Sequence, residues 1–225
     1  MLMQTLELQH DTESARLSDT AYESLVKAIL SGRLAPGTIV SELELARQFN
    51  VSRTPVHDAL RQLTKDGLVS QEMNRRAVIA AFTAEDVHDI FEMRKLLEGE
   101  AAKRAATRLD RVAQSVLRQS TDKIAASFGK AGLVARWADF DEMFHMTIAG
   151  ACGSRRLEQD IARYRLLHRT FNRLTTTPEV LRQALAEHHR ILDALERRDA
   201  KSAAAEMVAH IHEWQTYFVN RFAHK

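Results

Sequence analysis

The chain has 225 residues, 45% of them hydrophobic, and its 32 Lys and Arg nearly balance its 30 Asp and Glu. That length and apolar content exclude a disordered chain and support one large domain or two modest ones. No run of about 18 apolar residues is present to span a bilayer, and the first residues lack a secretory pattern, so a cytoplasmic protein with no membrane partner is expected.

Cys152 is the sole cysteine; it excludes an internal disulfide or a multi-cysteine zinc site and reads as a small buried residue. Three prolines and eight glycines favour a mainly α fold. Residues 1–17 are polar and aperiodic and are expected to form a flexible arm. From Asp19, Tyr22, Leu25, Val26, Ile29 and Leu30 recur on one helical face that ends near Gly32, and Pro36-Gly37 marks a turn. Ser41 and Glu44 have capping-box spacing, so a second helix starts at Ser41 and ends near Phe49-Asn50. Ser52 is placed to cap a third helix, where Pro55 is tolerated because first-turn amides need no intrahelical acceptor. That helix turns Val56, Leu60 and Leu63 to a core and stops at Asp66-Gly67. Two helices joined by so short a turn make a helix-turn-helix. Strand candidates at 68–71 and 77–80, around Met73 to Arg76, add a hairpin, so residues 18–80 read as a winged helix-turn-helix DNA-binding domain.

Past Thr83 the pattern changes to amphipathic helices at 84–107, 110–128, 132–150, 154–175, 178–197 and 200–222, broken at Gly-, Asp- and Pro-containing joints. Residues 84–225 are expected to be an all-helical bundle that binds an effector and dimerises the chain.

The segment VSRTPVHDALRQLTKDGLV, residues 51–69, resembles the signature of GntR-family transcriptional regulators, and so does the approach SGRLAPGTIVSELELARQFN before it. The C-terminal part resembles the FCD ligand-binding domain of FadR-like regulators, in the six-helix VanR-like branch. The resemblance implies a sequence-specific regulator, a repressor released by a small effector. His57 stands where the family usually has Arg, and Arg76 where its wing commonly has Gly. The base preference at His57 and the wing's approach to the minor groove are therefore expected to differ from the family's.

Residues 47–76 carry six basic side chains against three acidic ones, an electrostatic footprint only if local structure clusters them. At the start of a recognition helix, Arg53, Thr54 and His57 would face base edges or phosphates in the major groove, with Arg47 and Arg61 on the backbone. Arg75 and Arg76 at the hairpin tip would enter or flank a minor groove. A homodimer reading a palindromic operator is expected, because one winged helix seldom binds tightly enough alone.

In the bundle, Asp141 and His145 stand one helical turn apart and project together. The stripe Leu181, Leu185, Leu192 and Leu195 turns His188 inward and His189 aside; Met207, Trp214 and Tyr217 do the same for His210 over His212. An inward histidine alone is usually a core histidine, but three with an aspartate on three helices point to a metal. Asp141, His145, His188 and His210 also match the FCD metal set. Three imidazoles and a carboxylate suit Zn, Ni or another borderline divalent ion, and octahedral geometry would leave two positions for a small carboxylic-acid effector. Arg94 lies in the stripe Val87, Ile90, Leu97 and Ala101 and matches the Arg of the family's R-x-x-x-E pattern. A buried guanidinium needs an anion, which is either Glu98 one turn on or the effector carboxylate. Tyr164 and His168 read as core, or as further lining of the cavity.

Two other classes share parts of this pattern. A metal hydrolase would use the same cluster, but no H-E-x-x-H motif occurs. An architectural DNA-binding protein would lack both metal and effector. A regulator answering to an acyl-CoA would have no use for the inward Asp/His set.

Overall fold

The computed structural model describes residues 12–70, 76–172 and 177–223. They form two compact units, divided between Ala81 and Phe82, with no helix long and apolar enough to cross a membrane among the described residues.

In the first unit, α1 (Thr12–Leu30) packs on α3 (Arg53–Lys65), and α2 (Glu42–Phe49) packs across α3. Ala21, Leu25 and Ile29 of α1 meet Val56, Ala59, Leu60 and Leu63 in a core where all are buried, so the apolar periodicity fixed the packing faces. α1 begins at Thr12 rather than near Asp19, so residues 12–17 of the expected arm are helical: these polar first turns continue the helix without an apolar stripe to announce them. Residues 1–11 lie outside the described set.

The Ser41 hydroxyl accepts from the Glu44 amide at 3.5 Å at the start of α2. Asn50 ends the helix in the left-handed region at φ 53°, a conformation its short polar side chain tolerates better than most. The turn to α3 is short, and Pro55 sits in its first turn. β2 (Val69–Ser70) pairs antiparallel with β3 (Ala77–Ile79), as a hairpin requires. A third strand, β1 (Ile39–Val40), joins the far edge of β3 in the order β1-β3-β2, with Val40 opposite Ala77. β1 escaped sequence reading because two residues are too short to display a period.

Among the described residues the second unit holds six helices: α4 (Ala84–Arg108), α5 (Arg111–Ala125), α6 (Leu133–Ala151), α7 (Arg155–Asn172), α8 (Pro178–Glu196) and α9 (Ala200–Ala223). The periodicity placed each within a few residues, and α4 is the centre on which α9, α7, α6 and α8 all pack. Thr83 starts α4 with a full capping box, its hydroxyl accepting from the Asp86 amide at 3.1 Å while the Asp86 carboxylate accepts from the Thr83 amide at 2.8 Å. Ala101, Ala102, Ala105 and Ala106 are all buried, a broad small-residue face that lets neighbouring helices approach. α9 comes so close at Gly99 that a Cβ there would lie 2.7 Å from Val208 Cγ2. Cys152 packs with Ala101, Ala149 and Ile161, the small buried residue its isolation suggested.

Candidate metal centre and nucleic-acid interface

Three helices of the second unit converge on one point. α6 contributes Asp141 and His145, stacked one turn apart; α8 contributes His188 and α9 His210. One ligand atom from each of the four lies within 4.8 Å of the other three. Asp141 Oδ1 is 3.4 Å from His188 Nε2 and 3.7 Å from His145 Nε2, and the two imidazole Nε2 atoms are 3.3 Å apart. The three histidines are at most 3% exposed. Phe144, Phe140 and Trp137 wall His188, the nearest ring centroid at 4.4 Å.

Carboxylates behind the rings set their orientation. His145 Nδ1 donates to Glu98 Oε2 at 2.5 Å, and His210 Nδ1 donates to Glu187 Oε2 at 2.7 Å. With the proton on Nδ1, the Nε2 of each ring is left bare, and that of His145 lies beside Asp141 Oδ1 and His188 Nε2, the arrangement by which outer carboxylates fix a metal-binding tautomer. His188 Nδ1 is buried without a hydrogen-bond partner among the described residues.

Burial, with Arg165 beside it, brings the His145 imidazole down to about 3 despite Glu98 and Asp141. Burial likewise brings His188 down to about 4, against the pull of Asp141. Both rings are therefore neutral at pH 7, the protonation state a metal requires. For Asp141, burial alone would raise the carboxyl, but the Arg165 guanidinium outweighs it and holds it well below its ordinary value. Glu98 is held down in the same way, chiefly by Arg94, with the His145 hydrogen bond and Arg165 behind it. The inner face of the cluster thus gathers lone pairs and a carboxylate charge with little to separate them. Such a donor set repels itself unless a cation lies between its members, and three imidazoles with one carboxylate fit a borderline divalent ion.

Two arginines balance these acids. Arg165 of α7 is fully buried; its Nη2 donates to Asp141 Oδ2 at 2.8 Å and its Nε to Glu142 at 3.1 Å. Arg94 donates from Nε to Glu98 Oε1 at 2.7 Å, so the ion pair with Glu98 is formed. Its terminal amines make no hydrogen bond among the described residues. Arg94 also borders a cavity of about 10 Å³ beside Asp141, His168 and His210, with Trp137 and Trp214 on its wall. His168 reaches this cavity, whereas Tyr164 is half-buried on α7 and is not among its lining residues.

Sequence reading did not single out Arg165, Glu187 or Glu42. Arg165 had a signal: it follows Ile161 by one turn on the buried face of α7, just as Arg94 follows Ile90 on α4. Glu187 had none, because its value depends on His210 arriving from another helix.

In the first unit, Arg53, Thr54, His57 and Arg61 share the exposed side of α3, opposite Pro55, Val56, Ala59, Leu60 and Leu63. Arg47 is exposed on α2 and Arg76 just before β3; Arg75 lies outside the described residues. Glu42, at the start of α2, grips two of these side chains, accepting from Arg53 Nη2 at 3.3 Å and bonding His57 Nδ1 at 2.9 Å. The His57 bond, with help from Arg53, lowers the Glu42 carboxyl below its ordinary value.

Comparison with known proteins follows the same two-part division. The FCD domain family matches residues 89–213, and the family described as bacterial regulatory proteins, gntR family, matches residues 17–79. An HTH-type transcriptional regulator in the TAR-I ttuE-ttuC' intergenic region of Agrobacterium vitis is 36% identical over 145 residues, covering 63% of this chain and 83% of its own length. The HTH-type transcriptional repressor RspR of Escherichia coli is 26% identical over 199 residues, covering 85% and 84%. Among solved structures, E. coli McbR/YncC gives a TM-score of 0.75 at 20% identity over 91% of this chain and 97% of that one. A GntR transcriptional regulator from Rhodococcus sp. RHA1 gives 0.73 at 22% identity, over 92% and 98%. At those identities the structural likeness speaks for the fold alone.

Proposed function

The chain belongs to the GntR family of bacterial regulatory proteins, with an FCD domain after the DNA-binding part, and on that premise we propose that it is an operator-binding repressor released by a small carboxylate. The carboxylate binds at a metal held by Asp141, His145, His188 and His210. Residues 18–80 serve as the DNA-binding domain, and residues 84–225 bind the effector and dimerise the chain. Family membership makes the chain a transcriptional regulator rather than an enzyme, so the metal hydrolase is set aside.

The observation that carries the reading is the set of four converging donors, two of whose imidazoles are oriented from behind by Glu98 and Glu187. A core histidine cluster needs no such convergence of acceptors. Zn or Ni bound there supplies a Lewis-acidic centre that attracts an anionic ligand. Arg94 lines the same small cavity, and its guanidinium orients the carboxylate.

On the DNA side, Arg53, Thr54 and His57 read bases, Arg47 and Arg61 hold phosphates, and Arg75 and Arg76 flank the minor groove. The protein acts as a homodimer on a palindromic operator, half-sites about one turn apart. To cut occupancy strongly, the effector must favour the released state by roughly 100-fold, about 2.7 kcal/mol.

The test is metal analysis together with operator binding. Wild-type protein should carry about one divalent ion per chain and release operator with a small carboxylate, while Asp141→Ala and His188→Ala should bind operator, lose the ion and ignore the effector. A His188→Ala protein that responds like wild type would overturn the reading.

A further inference from the structure

The cavity beside the four ligands, at about 10 Å³, holds about one water and no organic acid beyond its head group. One wall of it is Trp214. The same indole lines a second cavity of about 230 Å³ between α8 and α9. A shift of this one side chain would therefore join the two spaces, and the body of a ligand anchored beside His210 would run into the outer one.

The chemistry of each space limits that ligand. Around the inner cavity, three guanidiniums, Arg94, Arg165 and Arg169, stand against four carboxylates, Glu98, Asp141, Glu142 and Glu187. The balance is one negative charge, and a divalent ion turns it to one positive, which a single carboxylate neutralises. A second carboxylate would be buried without a partner, at high cost. The outer space is lined by Val180, Ala184, Trp214 and Tyr217, with Thr216 and the acidic Glu213 at its side. Apolar and aromatic walls favour an apolar tail, and Glu213 repels an anionic one.

We propose that the effector is a monocarboxylate whose uncharged, apolar tail passes Trp214 into the cleft between α8 and α9. This rests on the metal-bound carboxylate reading above, and the experiment separates the two. Zn(II)-loaded full-length protein is titrated calorimetrically with acetate, butyrate, hexanoate and adipate. Affinity should rise along the first three by up to about 4-fold per buried methylene, and adipate should bind more weakly than hexanoate. Thr216→Trp and, independently, Val180→Trp, which fill the cleft from its rim, should leave acetate binding unchanged and flatten the dependence on chain length. Equal affinities along the series, adipate tighter than hexanoate, or an unchanged slope in both variants would overturn the tail inference while leaving the head-group site standing. Acetate binding that is no weaker in His188→Ala would instead overturn the metal reading, and the inference with it.

Discussion

Replacing Glu187 separates a metal centre from a cluster of core histidines. Glu187 is 3% exposed, and its Oε2 accepts from His210 Nδ1 at 2.7 Å while its Oε1 accepts from Gln183 Nε2 at 3.0 Å. The carboxylate raises the basicity of the opposite ring nitrogen and holds the ring in the ligating tautomer; losing such a partner typically costs about 10- to 100-fold in metal affinity. In Glu187→Gln the amide oxygen still accepts from His210, and Gln183 can turn its own oxygen toward the new amino group, so orientation survives and only the charge is lost. The expected weakening is about tenfold, or about 1.4 kcal/mol. In Glu187→Ala both are lost and the weakening should approach about 100-fold. Zn(II) competition against a chelating indicator at pH 7 measures this, with Glu213→Gln, on the adjoining cleft, as the control. If Glu187→Ala holds Zn(II) within about 2-fold of wild type, the role given to Glu187 is refuted.

Metal-free protein should lose stability on mild acidification. His145 and His188 are depressed to about 3 and about 4, so between roughly pH 6.5 and 4 the unfolded chain binds protons the folded one refuses. Their contribution is complete above about pH 6.5, declines as pH falls, and levels off below the folded values; urea unfolding across that range checks it, and bound Zn(II) should raise stability most near neutrality. Glu42→Gln removes a negative charge beside Arg53 and His57, so binding to scrambled DNA should strengthen while discrimination for the operator falls, measured by fluorescence anisotropy on both duplexes. Gly99→Leu should destabilise the second unit by about 1–3 kcal/mol through overpacking against Val208, read by denaturant unfolding. Thr83→Ala, which breaks the capping box of α4, should cost about 1 kcal/mol in the same assay.

The sequence by itself determined the helices and their inward faces. A 3.6-residue apolar period needs only one element to be visible, so Val56, Leu60 and Leu63 on α3, and His188 rather than His189 on α8, were legible before any fold. His210 followed from the same phase, whereas Asp141 and His145 came from their one-turn spacing and from the resemblance to the FCD metal set. Tertiary structure decided what that phase cannot carry, namely which inward residues of different helices meet. Glu187 lies beside the stripe of α8, and only the approach of α9 gives it His210. Arg165 follows Ile161 on the inward face of α7, but only α6 sets Asp141 and Glu142 against it. β1 exists only because β3 offers an edge, and Glu42 matters only because α3 turns Arg53 and His57 back onto α2. These pairings are long-range, and a local pattern holds no record of a partner that the chain reaches only after it has folded.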